Sequence, residues 1–180
     1  KKAVNKGNST TLNCPEEVFL AEKLLNIHPW AGKVKFARTG GEASAIAVRI
    51  ARAASKKDKI AFCGYHGWQD WYLSANLSDS NNLSDHLLPG LSTKGVPKNL
   101  KKTAFPFRYN DFEELEKIVN KEDIGVICME VVRNEEPNED FLIRVRELAK
   151  NKGIVLIFDE CTSGFRETFG GLHKLYKVNP

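Results

Sequence analysis

The sequence predicts an α/β fold built on a mainly parallel sheet, and three observations lead there. Apolar runs of strand length alternate with segments whose apolar residues recur at helical spacing. Three of those runs end in glycine or a carboxylate, at Cys63-Gly64, Glu130 and Asp159. The most informative run is Ile154-Val155-Leu156-Ile157-Phe158, followed at once by Asp159 and Glu160. It reads as a strand buried on both faces that delivers Asp159 to its carboxyl end, the edge where open α/β sheets bind ligands.

The elements follow in order. Pro15 suits a first helical position, and Glu16 and Glu17 suit the positive end of the helix dipole. Val18, Leu20, Ala21, Leu24 and Leu25 continue a helical apolar face that His28-Pro29 closes. Val34-Lys35-Phe36 reads as a short strand leading into Thr39-Gly40-Gly41. A second helix follows, with Ala43, Ile46, Ala47, Ile50 and Ala51 on one side, small enough to pack closely on a sheet. Lys59 to Cys63 is the next strand. Residues 74 to 100 are rich in Ser, Asn, Leu and Gly without a period, which predicts a long functional loop. Asp111 to Asn120 reads as a helix with Phe112, Leu115 and Val119 inward, and Ile124 to Met129 as a strand ending at Glu130. Phe141, Leu142, Val145, Leu148 and Ala149 mark a further helix that Gly153 stops. No internal repeat or low-complexity tract interrupts the pattern.

Composition narrows the class. A chain of 180 residues can bury one sizeable core and need hold only one domain. Its 42% hydrophobic and 28% charged content is ordinary for a soluble protein. The net charge of +4 is scattered, and the densest cluster, Lys56-Lys57 with Lys59, is broken by Asp58. A solvated surface is expected, not a nucleic-acid site. Cys14, Cys63, Cys128 and Cys161 are far apart, mostly beside apolar runs, and are expected to be reduced and buried. With no secretory signal and no apolar run of membrane-spanning length, a cytoplasmic protein is expected.

Each motif alone is weak. Thr39-Gly40-Gly41 lies between strand and helix, where glycine lets backbone N–H groups approach an anion, yet a tight turn would look the same. It has neither the glycine spacing nor the lysine of a nucleotide loop. Cys63-Gly64-Tyr65-His66-Gly67-Trp68 follows a strand; no second ligand pair supports zinc, and the flanking glycines suggest that Tyr65 and His66 line a ligand surface. Asp159-Glu160 has the look of a Mg²⁺-binding acid after an apolar strand, but its Gly-Lys-Ser/Thr partner is missing, which sets aside an ATPase. No Gly-x-Ser-x-Gly elbow supports a serine hydrolase.

Taken in order, Thr39-Gly40-Gly41-Glu42-Ala43, Gly64-Tyr65-His66-Gly67, Glu130, and Asp159-Glu160-Cys161-Thr162-Ser163-Gly164-Phe165-Arg166 resemble the class III aminotransferases. The nearest flavour is the glutamate-1-semialdehyde 2,1-aminomutase-like branch, and the agreement runs from about Pro15 to Pro180. The resemblance implies a three-layer sandwich, part of the large domain of a fold-type-I pyridoxal-phosphate transferase. It implies pyridoxal 5'-phosphate as cofactor, with Gly40 and Gly41 at the phosphate and Tyr65 stacked on the ring, His66 beside it. Asp159 would pair with the pyridinium nitrogen, and Glu130 would lie near cofactor or substrate. Where the family usually carries Ser/Asn-Gly-Thr-Glu-Ala, this chain has Thr-Gly-Gly-Glu-Ala. A side-chain hydroxyl is lost at Gly41 while its N–H remains.

The same resemblance implies transfer of an amino group between an amino acid or amine and a carbonyl compound, by a homodimer acting on small molecules. Aminomutase activity, or a non-catalytic cofactor-binding relative, is the alternative. The lysine that forms the Schiff base in such enzymes has no counterpart here; Lys174 and Lys177 follow Asp159 too soon and read as surface residues. Residues 1–180 are therefore expected to be a partial cofactor-binding domain, inactive alone, lacking the lysine segment and the small C-terminal domain. Trp68, Trp71 and Tyr72 are expected to help shape the pocket.

Overall fold

A computed structural model describes residues 14–84, 91–132, 134–138 and 140–180. The chain divides into two units, Lys1–Phe36 and Ala37–Pro180. In the first, helix α1 (Pro15–Ile27) starts with Pro15 and two acidic residues in its first turn and ends where the His28 N–H bonds the Leu24 carbonyl. Its apolar residues are not buried: Val18 and Leu20 are exposed, and Phe19 is 61% exposed. The expected strand at Val34–Phe36 is absent; residues 31–37 adopt no regular structure. Three residues carry too little pattern to form a strand without a neighbour to pair with.

The second unit is a parallel sheet with helices on both faces. Among the described residues its strands are β1 (Lys59–Cys63), β2 (Ala104–Pro106), β3 (Ile124–Glu130) and β4 (Val155–Asp159), in spatial order β2-β1-β3-β4. Every pairing is parallel, with Phe62 opposite Cys128 and Glu130 opposite Asp159. Helices α2 (Gly40–Ser55) and α3 (Asp70–Leu73) pack on one face, where Val48, Ala51, Trp71 and Tyr72 meet Ile60, Phe62, Val126 and Cys128. Helices α4 (Phe112–Lys121) and α5 (Phe141–Lys152) cover the other, where Leu115, Val119, Val145 and Ala149 meet Ala61, Ile127, Met129 and Leu156. A last short helix, α6 (Leu172–Leu175), follows β4. These three layers agree with the fold class predicted.

Local chemistry sets the helix ends. Asp111 caps α4 by accepting the Glu114 N–H at 2.9 Å, and Gly153 ends α5 in the left-handed conformation with φ of 64°. Thr39 caps α2 by accepting the Glu42 N–H at 3.2 Å, while the Glu42 carboxylate reaches back to the Arg38 N–H at 2.9 Å.

Four expectations need correction. β4 is an edge strand of the described sheet and is mostly half-buried; the strand buried along its whole length is β3. Apolar character reveals the helices above and below a strand but not whether a neighbour lies beside it. α2 turns Ser44, Val48 and Ala51 inward and leaves Ala43 and Ile50 exposed, because alanines scattered all round the helix hide its phase. The segment 74–100 is not a loose loop in its described parts. It carries 3₁₀ turns at Ser74–Leu77 and Lys98–Leu100 and buries Ser74, Ala75, Asn76, Leu83 and Val96; residues 85–90 lie outside the described ones. Finally, Cys63 and Cys128 are buried, but Cys14 and Cys161 are exposed, and all four are free. No described helix is long and apolar enough to cross a membrane.

Candidate functional site

Parallel strands send their carboxyl ends to one side, and the loops after β1, β3 and β4 meet the start of α2 there. Between them lies a cavity of about 350 Å³. Gly40, Gly41, Tyr65, His66, Glu130 and Asp159, the six residues singled out in the sequence, all line it. Trp68 lines it too, and the structure adds Thr39, Gly67, Gln69, Cys161 and Thr162.

The α2 end of the cavity is built for an anion. Gly40 and Gly41 are the first two helical residues, so their N–H groups have no acceptor within the helix and carry the positive end of its dipole. Neighbouring side chains also lie against both glycines. A Cβ on Gly40 would lie 2.9 Å from the Cys161 Sγ, and one on Gly41 would lie 2.6 Å from the Gln69 Nε2.

The same cavity is lined by Asp159, at the end of β4. His66 donates from Nδ1 to Asp159 Oδ2 at 2.7 Å, and the Cys161 backbone N–H donates to Oδ1 at 2.9 Å. His66 is 2% exposed. Its Nε2 lies 3.0 Å from the Cys63 carbonyl oxygen, which can only accept, so Nε2 also carries a hydrogen. With a carboxylate on the other nitrogen, the geometry calls for an imidazolium. The His66 pKa is accordingly raised well above the ordinary imidazole value: burial opposes the charge, but neighbouring Cys128 and the hydrogen-bonded Asp159 carboxylate outweigh it. Asp159 is thereby held from two sides with its charge compensated.

Glu130, at the end of β3, is 3% exposed. Its Oε2 accepts from the Tyr65 N–H at 3.4 Å and its Oε1 from the Thr162 hydroxyl at 3.5 Å, so it ties the two loops flanking Asp159. Its carboxylate abuts Gly64, where a Cβ would fall within 3.0 Å of Cδ and where φ of +102° already favours glycine. Burial and the neighbouring Glu130 charge push the Cys63 thiol pKa up, so that sulfur stays protonated. Glu160, next to Asp159, turns away. It accepts from the Leu172 N–H at 2.6 Å and the His173 N–H at 3.0 Å, folding the chain after β4 back on itself.

The three aromatic residues expected to shape the pocket divide. Trp68 lines the cavity and is 72% exposed. Trp71 and Tyr72 belong to the core behind it; Trp71 stacks on His66, and the Tyr72 hydroxyl donates to the Gly64 carbonyl at 3.2 Å. Lys174 and Lys177 are exposed, as expected of surface residues, and neither lines the cavity. Gln69 had no signal in the sequence, since only the fold brings it to the cleft, whereas Thr162 stands within the Asp159–Arg166 run.

Sequence and fold both have counterparts among known proteins. The class-III aminotransferase family model matches residues 2–175. A 3-aminobutyryl-CoA aminotransferase of Cloacimonas acidaminovorans is 34% identical over 184 residues, covering 98% of this chain and 40% of the relative. A glutamate-1-semialdehyde 2,1-aminomutase of Aquifex aeolicus is 36% identical over 188 residues, covering 100% of this chain and 43% of the relative. Among solved structures, an omega-transaminase from Sphaerobacter thermophilus superposes with a TM-score of 0.83 at 26% identity, over 98% of this chain and 42% of that one. A transaminase with pyridoxal phosphate bound gives 0.81 at 28% identity, with the same coverage of 98% and 42%. The chain thus spans about two fifths of the length of these relatives. A family model matched over nearly the whole length, with relatives at 34–36% identity, has one conclusion: the chain belongs to the class-III aminotransferase family.

Proposed function

We propose that these residues form the cofactor-binding part of a pyridoxal-phosphate-dependent aminotransferase, which moves an amino group between an amino acid or amine and a carbonyl compound. The observation that carries this reading is the cavity itself, with helix-start glycines at one end and the doubly held Asp159 at the other. Its residues fit the group: a helix start with unpaired N–H groups, a tyrosine at its wall, and a half-buried carboxylate compensated by His66.

Bound there, pyridoxal phosphate would supply an electron sink for negative charge developing at the substrate carbon next to nitrogen. Gly40 and Gly41 would bind its phosphate through backbone N–H groups. Asp159 would hold a proton on the ring nitrogen, and His66 would keep that carboxylate oriented and ionised. Tyr65 would cover a face of the ring, with its backbone anchored on Glu130. Glu130 is read as a positioning residue, because both its oxygens are engaged by the loops it joins.

The Schiff-base lysine and a smaller C-terminal domain would come from outside residues 1–180, and a second copy of the protein would complete a homodimer. An aminomutase is the second reading, favoured by relatives of that name at 36% identity. The test is borohydride reduction of the intact protein with pyridoxal phosphate, followed by peptide mapping. A phosphopyridoxyl-lysine outside residues 1–180 is expected. Absence of any labelled lysine would leave a non-catalytic relative. Release of a free keto product from the amino donor then separates aminotransferase from aminomutase.

A further inference from the structure

We infer that Gln69 is a phosphate ligand of the cofactor, standing where the hydroxyl missing at Gly41 would otherwise stand. The inference rests on the pyridoxal-phosphate reading above and adds a residue to it.

Gln69 precedes α3, and its backbone carbonyl accepts from the Tyr72 N–H at 3.0 Å and the Leu73 N–H at 3.1 Å. That pins its main chain and leaves the side chain to turn into the cavity, which it lines. The carboxamide fills the space that side chains at two other positions would need. A Cβ on Gly41 would lie 2.6 Å from Nε2, 2.7 Å from Oε1 and 3.0 Å from Cδ of Gln69. A Cβ on Gly67 would lie 2.6 Å from Oε1 and 3.1 Å from the Gly41 Cα. Gly67 has φ of +96°, so its lack of a side chain is required twice over. Three segments are therefore fitted around one amide.

That amide is polar, and its Oε1 is buried with no hydrogen-bond partner among the described residues. Its Nε2 is not enclosed in that way, and no hydrogen bond engages it among the described residues, so the amide donor is left to the cavity that Gln69 lines. It stands beside Gly41, whose helix-start N–H, like that of Gly40, has no acceptor within the helix. A dianionic phosphate monoester in the cavity would draw on all three donors. Gly41 and Gln69 form a matched pair: the glycine makes room, and the carboxamide restores the donor.

The test is titration of the intact apo-protein with pyridoxal phosphate and with pyridoxal, which lacks the phosphate. Fluorescence quenching gives both dissociation constants without relying on turnover. Gln69→Ala should weaken pyridoxal phosphate by about ten- to a hundred-fold, the range for a hydrogen bond to a charged group, and leave pyridoxal nearly unchanged. Gly41→Thr alone should weaken it too, through collision with the carboxamide, and Gly41→Thr with Gln69→Ala should recover most of the affinity. Gln69→Glu keeps the side-chain volume but sets a negative charge against the phosphate, so its loss should exceed that of Gln69→Ala. It carries the test if the alanine variant melts early. Unchanged pyridoxal phosphate affinity in Gln69→Ala or Gln69→Glu would overturn the inference alone. A wild-type protein that does not prefer pyridoxal phosphate to pyridoxal would overturn the phosphate site itself, and this inference with it.

Discussion

His66 is the residue on which the charge of the site turns. Its two nitrogens face a carboxylate and a carbonyl, and both bonds need the imidazolium. A histidine whose folded pKa is raised stabilises the fold fully below the unfolded value of about 6.5, and that contribution is lost as pH rises through the folded value. The shift here is upward, so the loss belongs to the alkaline side of about 6.5. Wild type should therefore exceed His66→Gln in stability by most in mildly acidic buffer, with the gap narrowing as pH is raised. Urea midpoints across a pH series would read this, and a gap independent of pH would mean that His66 is neutral when folded. Asp159 itself was legible in the sequence because it follows its strand directly. The His66–Asp159 contact was not, since 93 positions separate the two and neither has a local pattern that names the other.

At the scale of elements, legibility followed how local the cause was. Gly153 could be read as a helix stop because a left-handed residue after a helix selects glycine whatever surrounds it. Its surroundings are in fact empty: a Cβ there would meet nothing within 4 Å. Gly153→Ala should thus cost only the backbone term, roughly 1–2 kcal/mol. A much larger fall in the urea midpoint would show that this turn is packed more tightly than the space around it implies. β2 went unseen for the opposite reason. Ala104–Pro106 has three residues and becomes a strand only through its pairing with β1, where Ala104 lies opposite Ile60. The phase of α2 failed similarly, since the exposed Ala43, Ala53 and Ala54 are as small as the buried Ala51. Gln69 belongs to this group as well. Its neighbours Gly41 and Gly67 belong to motifs read without it, and only the folded chain sets both against its carboxamide.

For the whole molecule, the cleft draws on α2 and on the ends of three strands, so a ligand that binds it engages the fold as a unit. Pyridoxal phosphate at a hundred times its apparent dissociation constant should stabilise the intact protein by about 2.7 kcal/mol, read as a rise in melting temperature. A melting temperature unmoved at that excess would place the ligand on a part of the protein that unfolds separately. The order of the strands along the chain has a further consequence. Synthesis proceeds from the N-terminus, and domains fold as units in that direction. The helix-start glycines Gly40 and Gly41 and His66 leave the ribosome well before β4, the last strand of the described sheet, brings Asp159. Until then the nascent chain exposes an imidazole with no anion to pair with. On the proposed function, cofactor capture would therefore be a late event in biosynthesis, since a ribosome stalled before Asp159 would hold a chain whose cleft is not yet assembled.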